Sequence, residues 1–202
     1  MINSKVTSFE WTTWLRWVLF SAGGLFIPYL LAGLFIPPTG GALNNVFTTV
    51  LVFLLGAIIG IAQWGVLRSW INRPATWVVA SSLGFVIASY AAIPLKLLDI
   101  YIGANFEFEM DEVLYGAVFG VVLGSIQWIV LRGHLTRSGW WIAGSMLGWT
   151  LGMFIVQIIP FDWNWPGTGL VYETIVMIMA SMITGLVLIK CLEIQGGGAS
   201  IR

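Results

Sequence analysis

The feature that most constrains this chain is a series of six apolar runs, each long enough to cross a lipid bilayer as a helix. A spanning helix needs about 20 consecutive, mostly apolar residues. Clusters such as Pro37–Gly41 and Asn72–Pro74 separate the runs, because proline removes a backbone donor and glycine loosens the chain. The predicted spans are Trp14 to Ile36, Leu43 to Arg68, Thr76 to Leu98, Glu112 to Arg132, Gly139 to Ile159 and Leu170 to Leu192.

The composition also indicates a lipid environment. Of the 202 residues, 58% are hydrophobic and only 9% are charged, whereas soluble domains carry about 25% charged residues. The formal net charge is zero, which argues against a nucleic-acid partner, since phosphate binding needs a concentrated basic surface. Lys5 precedes a first run without a cleavage site, so we expect an uncleaved first helix. We predict one transmembrane domain in a lipid bilayer, with a flexible glycine-rich tail over 193–202.

The charged residues predict the orientation of the spans. Basic loops stay in the cytoplasm, so both termini are predicted to be cytoplasmic and the acidic connection from Asp99 to Asp111 external. Trp11, Trp14 and Trp17 are predicted to lie in an interfacial aromatic belt. The basic residues that share the cytoplasmic side are Lys5, Arg16, Arg68, Arg73, Arg132, Arg137, Lys190 and Arg202.

The chain repeats itself at a spacing of 64 residues, the distance from Gly56 to Gly120. Rare residues recur in register, so biased composition does not explain the match. Weaker copies lie on both sides, and we therefore predict three tandem two-helix repeats (about 14–68, 76–132 and 139–192) around a pseudo-threefold axis. The first copy contains Gly56, Gly60, Gln63, Trp64, Val66, Leu67, Arg68, Arg73, Trp77, Ser81, Leu83 and Gly84.

Two intramembrane glutamines, Gln63 and Gln127, are the candidate ligand-binding residues. Each follows a glycine by three residues, so helical geometry places its amide on or beside the glycine face that packs in the bundle. Intramembrane polar groups often mark a functional site. The alternative is that each amide bonds to a neighbouring helix, with Ser81 or Ser145 as the partner.

Charged residues near the span ends supply two further candidate sites. Asp111, Glu112 and Glu173 are predicted to form an external acidic mouth that attracts cations, although a carboxylate at a helix amino terminus is also stabilised by the helix dipole. Arg68 and Arg132 are candidates for contact with anionic lipid headgroups. Their alternative role is to satisfy the positive-inside rule and the dipoles at the ends of their helices.

The sequence contains no recognisable catalytic motif, so we predict that the protein is not an enzyme. His134 is the only histidine and Cys191 the only cysteine, and neither has the companions that a metal site needs. No cofactor is indicated. A pigment held by glutamine, glutamate or water stays open.

The segments Gln63–Arg68 and Gln127–Arg132 share the pattern Gln-Trp-x-x-Leu-Arg, and each precedes a Trp-to-Gly segment, Trp77–Gly84 or Trp141–Gly148. With these motifs the chain resembles an uncharacterised family of multi-pass membrane proteins in cyanobacteria and related bacteria. The resemblance implies a repeat architecture in a bacterial inner membrane or an internal photosynthetic membrane. It implies no particular chemistry.

Two functions follow as expectations. The first is a non-enzymatic scaffold or accessory subunit that packs beside a larger membrane complex or self-associates. The second is a small-solute transporter or ligand-binding membrane protein with a site near the bundle axis. A dry, glycine-packed axis would favour the first, and a polar, water-wide cavity that reaches Gln63 and Gln127 would favour the second.

Overall fold

The computed structural model describes residues 4–28, 42–68, 73–102, 110–162, 165 and 167–198. All regular structure within these residues is α-helical, which confirms the predicted helical class. Glu107, Glu109 and Arg202 lie outside the described residues. The helices within them are α1 (Ser4–Gly23), α2 (Ala42–Leu67), α3 (Pro74–Ile102), α4 (Met110–Leu131), α5 (Trp140–Gln157) and α6 (Thr168–Gly198).

Four of these helices are long and apolar enough to cross a bilayer, as expected for an integral membrane protein. α1 and α5 are not among the four. α1 carries Glu10 and Arg16, and α5 has only 18 residues, among them three tryptophans and three glycines. The four candidate spans are Asn45–Leu67, Ala75–Pro94, Met110–Leu131 and Thr168–Leu192.

α1 ends at Gly23, although the apolar run continues beyond it. The Leu25 N–H donates to the Ala22 carbonyl oxygen, three residues back, at 3.2 Å, so the α-helical hydrogen-bond pattern is interrupted. Pro28 has no N–H to donate, and its ring crowds the carbonyl group four residues earlier. The break therefore falls inside the segment that the sequence predicts as one continuous span.

The helices form a closed ring, in which each helix contacts its neighbours in the chain and α1 contacts α6. Neighbours run antiparallel: along α2, Gly56 faces Ser82 of α3 and Gly60 faces Val78. A Cβ at position 56 would lie 2.8 Å from the Ser82 Cα, so only glycine permits this approach. In lipid, helices associate through such close packing, since lipid tails are as apolar as the side chains.

The row of glycines on α4 packs in the same way against α5. A Cβ at Gly120 would lie 2.5 Å from the Ser145 carbonyl oxygen, and one at Gly116 would lie 2.8 Å from the Trp149 carbonyl oxygen. A Cβ at Gly124 would lie 2.7 Å from the Ser145 Cβ. The glycines of α4 therefore pack against α5, as the sequence predicts.

The ring has two chemically different ends. At the basic end, α2 and α4 end and α3 and α5 begin, and the exposed Arg68 and Arg132 directly follow the last residues of α2 and α4. At the acidic end, α4 and α6 begin, with Asp111 and Glu112 in the first turn of α4. The two ends therefore differ in charge, as the sequence pattern indicates.

α6 differs from its predicted bounds at both ends. It begins at Thr168, so Glu173 lies in its second turn rather than at its start. The helix dipole acts mainly within the first turn, and it is therefore a poor account of Glu173. At the other end, the helix continues through residues 193–198, the first part of the segment whose glycines predict a flexible tail.

Candidate functional site

The inside of the ring is built from three layers of side chains on the odd-numbered helices. Residues four apart on a helix lie on one face, and each of these helices presents a tryptophan, then a serine, then an apolar residue. All nine side chains are buried, and they are Trp17, Ser21 and Leu25 from α1 and the turn after it, Trp77, Ser81 and Phe85 from α3, and Trp141, Ser145 and Trp149 from α5.

The layer nearest the basic end is a tryptophan triad formed by Trp17, Trp77 and Trp141. Their ring centroids lie 5.5 to 6.4 Å apart, in edge-to-face arrangements with interplanar angles of 61° to 84°. Such pairs stabilise beyond the area that they bury. No member is more than 1% exposed, so the prediction that Trp17 lies in an interfacial belt is wrong. The triad closes the ring axis at this end.

The next layer contains both candidate glutamines, and both are buried. Gln63 Nε2 donates to Ser21 Oγ, and Gln127 Nε2 donates to Ser81 Oγ, each at 3.1 Å. Each bond joins an even-numbered helix to the odd-numbered helix before it. Ser81 is one of the two partners that the sequence suggests, and Ser21 is not. The glutamine layer is defined here as Gln63, Gln127, Ser21, Ser81, Ser145 and Thr184.

The indoles of the triad tie this layer to the basic end. Trp141 Nε1 donates to Gln127 Oε1 at 3.0 Å, so Gln127 links α4 to both α3 and α5. Trp17 Nε1 donates to Thr184 Oγ1 at 3.1 Å. Thr184 on α6 therefore accepts an indole hydrogen bond much as Gln127 does on α4.

The third indole breaks this pattern. Trp77 Nε1 and Gln63 Oε1 are both buried, and neither has a hydrogen-bond partner among the described residues. They are the counterparts, in the preceding copy of the motif, of the bonded pair Trp141 and Gln127. Beside Gln63, a cavity of about 20 Å³ on the axis is lined by Gln63, Gln127, Thr184 and their neighbours. That volume accommodates one water-sized group, not a larger solute.

A second and much larger cavity, of about 300 Å³, lies between the glutamine layer and the acidic end, and we call it the vestibule. Every described helix contributes to its lining, either directly or, for α1, through the turn that follows. The lining is mostly apolar and aromatic, with few polar groups. It comprises Leu25, Pro28, Thr48, Leu51, Val52, Leu55, Phe85, Ser89, Tyr115, Phe119, Trp149, Met153 and Glu173.

The floor of the vestibule is an aromatic cluster. The Phe119 ring lies 4.3 Å from the Trp149 ring and 5.5 Å from the Phe85 ring, between centroids. Tyr115 stacks on Phe119 at 6.0 Å with an interplanar angle of 22°. Phe85 and Trp149 line both cavities. The cluster therefore separates an apolar chamber above it from a small polar one below it.

The three candidate carboxylates all lie at the acidic end, but only one of them reaches the vestibule. Glu173 is exposed and lines the cavity together with Tyr115. Asp111 and Glu112 are half-buried in the first turn of α4, one turn before Tyr115, and they do not line the cavity. Of the three residues of the predicted acidic mouth, Glu173 is therefore the one that lines the vestibule.

Arg68 and Arg132 are both exposed at the basic end. The Arg132 guanidinium carbon lies 5.3 Å from the centroid of the Trp128 ring, within the range of a cation–π interaction. Trp128 is partly buried, so it can hold this cation beside the surface of the ring. Contact of either arginine with lipid headgroups stays a prediction.

Sequence reasoning missed the vestibule and Thr184. A signal for the vestibule was available, because Phe85 and Trp149 follow Ser81 and Ser145 by four residues and must share their inward face. No comparable signal existed for Thr184, since the last copy of the repeat lacks the Gln-Trp motif. Its role depends on the contact between α6 and α1, which are far apart in the chain.

No protein-family model, curated protein or solved structure matches this chain. The resemblance to the multi-pass family of cyanobacteria and related bacteria therefore stays a prediction. The vestibule and the glutamine layer are therefore the candidate functional sites of this protein.

Proposed function

We propose that this protein is a non-enzymatic multi-pass membrane protein that binds one small, largely apolar ligand in the vestibule. The observation that carries the proposal is a cavity of about 300 Å³ with a lining drawn from the whole ring. Ligand sites in proteins are concave, mostly apolar chambers of about 300–1,000 Å³ with a few polar groups that orient the ligand, and they occur between the helices of bundles.

The proposal includes six membrane crossings with both termini on the cytoplasmic side. The ring arrangement supports six crossings, because α1 and α5 lie between apolar helices that are long enough to span. The arginines at the basic end support the orientation through the positive-inside rule. The repeated tryptophan, serine and glutamine positions support three two-helix units around a pseudo-threefold axis.

The polar groups of the vestibule favour a ligand with one polar end. Thr48, Ser89, Tyr115 and Glu173 are the polar residues of a lining that otherwise consists of apolar side chains. Phe119 and Trp149 offer ring faces at the floor. A ligand would place its apolar part against these rings and its polar end toward the hydroxyls.

Binding without conduction is the best account of the axis below the vestibule. The aromatic floor, the glutamine layer and the tryptophan triad follow one another toward the basic end. The cavity at the glutamine layer has a volume of about 20 Å³, which admits a single water-sized group. We therefore expect a solute that fits the vestibule to remain there and not to pass along the axis of the ring.

A second candidate function is the scaffold or accessory subunit that the sequence predicts. The glycine contacts favour it, since α2, α4 and α5 pack against their partners at backbone distance. The narrow space at Gln63 and Gln127 favours it too, because a closely packed axis is what the sequence leads us to expect of a scaffold. Such a subunit would bind a membrane-protein partner through its lipid-facing surface. The two functions are compatible if this protein binds the ligand as a subunit of a larger membrane complex.

The proposed function is tested by native mass spectrometry of protein extracted gently from its membrane, and by saturation-transfer NMR with indole as the probe. Val52→Trp fills the vestibule from α2, where Val52 is partly buried. Val50→Trp is the matched control, because Val50 is 49% exposed on the same helix. We expect the wild type and Val50→Trp to retain a small molecule and bind indole, and Val52→Trp to lose both.

Equal behaviour of the two variants would overturn the vestibule as the site. A fixed-ratio polypeptide in the spectra, without a small molecule, would support the accessory-subunit function instead. Thermal unfolding of both variants in detergent checks that each remains folded.

A further inference from the structure

A third cavity lies on the outside of the ring at the basic end, between the start of α5 and the carboxyl-terminal half of α6. Its volume is about 350 Å³ and its lining is almost entirely apolar. Trp140 is 66% exposed and Leu186 is 48% exposed, so the cavity is a groove that faces outward. Its lining consists of Arg137, Trp140, Leu186, Val187, Lys190 and Cys191.

Two exposed cations flank this apolar groove. Arg137 and Lys190 both line it, although almost none of the lining surface is polar. Their methylene stems therefore contribute to the walls, while the charged groups extend beyond them, as long basic side chains do at a membrane interface. Trp140 adds an aromatic group of the kind that is enriched at that interface.

The backbone of Arg137 is in an unusual conformation, with φ of 54°. This left-handed region is disfavoured for residues with a Cβ and recurs at functional sites. The Arg137 carbonyl oxygen accepts hydrogen bonds from the Trp140 N–H at 3.2 Å and from Cys191 Sγ at 3.8 Å. Position 137 is therefore anchored to both helices that form the groove, and it carries an arginine although glycine would adopt this backbone without strain.

We propose that this groove is a binding site for one anionic phospholipid, with an acyl chain along the apolar wall and the phosphate between Arg137 and Lys190. The charge complementarity selects the headgroup, since clustered basic residues beside a membrane recognise anionic lipids. The apolar wall selects a lipid over a free phosphate. The site is separate from the vestibule and does not depend on the ligand proposed there.

The test is a native mass spectrometry titration of the purified protein with dioleoyl-phosphatidylglycerol and, separately, dioleoyl-phosphatidylcholine. The wild type is expected to bind one phosphatidylglycerol about tenfold more tightly than phosphatidylcholine. The double variant Arg137→Gln/Lys190→Gln is expected to lose most of that preference. Arg16→Gln/Arg73→Gln is the matched control, because it removes two exposed arginines from outside the groove and should retain the preference.

A glycine variant separates a lipid-binding role from a purely structural one. Arg137→Gly relieves the left-handed backbone and should raise the thermal midpoint by about 2–4 °C, while it lowers phosphatidylglycerol binding. Equal binding of the two lipids by the wild type would overturn the site. So would an equal loss of preference in the two double variants, since that result would reflect general charge attraction. Glycerol 3-phosphate that binds as tightly as the lipid would show that the groove recognises phosphate alone, and would also overturn it.

Discussion

The hairpins α2–α3 and α4–α5 carry the same motif, yet they pack differently. In α4–α5, a Cβ at Gly120 would lie 2.5 Å from the Ser145 carbonyl oxygen. In α2–α3, a Cβ at Gly56 would lie 2.8 Å from the Ser81 carbonyl oxygen. The closer hairpin is also the one in which tryptophan and glutamine are hydrogen bonded to each other. Identical residues at identical spacing therefore do not ensure identical contacts.

The vestibule accounts for part of this difference. α2 contributes Thr48, Leu51, Val52 and Leu55 to the lining, whereas α4 contributes only two residues. A helix that borders a cavity has fewer atoms packed against it. The looser hairpin thus contributes more of the lining of the proposed binding site, and the tighter hairpin has the closer contact between backbones. Matched substitutions in the two hairpins can break or sharpen this comparison.

The largest expected effect is that of Gly120→Ala, and the variant to compare with it is Gly56→Ala. A Cβ at position 120 meets backbone atoms at 2.5 Å, which cannot move aside as a flexible side chain can. We expect Gly120→Ala to destabilise the fold by about 2–3 kcal/mol and Gly56→Ala by about 1–2 kcal/mol. Equilibrium unfolding in mixed micelles measures both.

Gly139→Ala is the control for these two variants, because nothing lies within 4 Å of a Cβ at that position. It should leave stability almost unchanged. If Gly56→Ala were as costly as Gly120→Ala, the two hairpins would be equally tight and the comparison would fail.

The next effect in size is expected for Gln127→Leu, and the variant to compare with it is Gln63→Leu. Loss of Gln127 leaves Trp141 Nε1 without its acceptor and Ser81 Oγ without its donor, at a cost of about 1–3 kcal/mol. Loss of Gln63 breaks only its bond to Ser21 and removes a buried oxygen that has no partner among the described residues. We expect that variant to cost about 0.6 kcal/mol or less. The same unfolding assay checks both, and a reversed order would contradict the assigned hydrogen bonds.

Trp141→Phe and Trp77→Phe should differ by the contribution of one hydrogen bond. Both remove an indole from the triad, so the packing loss is similar. Only Trp141→Phe also leaves Gln127 Oε1 unpaired, and it should therefore be the more destabilising by about 1 kcal/mol. Thermal unfolding of the two variants, side by side, measures the difference. Equal midpoints would mean that the Trp141 hydrogen bond contributes nothing.

The smallest effect is expected for the serines. Ser81→Ala removes the acceptor of the Gln127 amide and should cost about 0.6 kcal/mol, the average for an interhelical hydrogen bond in a membrane protein. Ser145→Ala, in the other hairpin, should be nearly neutral, since neither glutamine donates to Ser145. A larger loss for Ser145→Ala would reveal a partner of that hydroxyl at the axial cavity.

Much of the helical arrangement could be predicted because each signal lies within one or two helices. Apolar runs of spanning length predict the helices, and the repeated glycines predict the faces along which α2 meets α3 and α4 meets α5. Pro28 is itself a signal for the helix break that precedes it, but hydropathy, which defined the predicted span, does not register a lost hydrogen bond. The burial of Trp17 could not be predicted from the sequence either, because a tryptophan near a span end is as typical of an interface as of a core.

The sequence by itself determined the helical class, the inward faces of Gln63 and Gln127 and the separation of charge between the two ends, because these depend on periodicity and on order along the chain. Only the tertiary structure decided that Gln63 bonds to Ser21, that Thr184 accepts from Trp17, and that a vestibule lies above the aromatic floor. These features depend on distances between helices. The closure of the ring through α6 and α1 brings together residues whose separation in sequence carries no periodic signal.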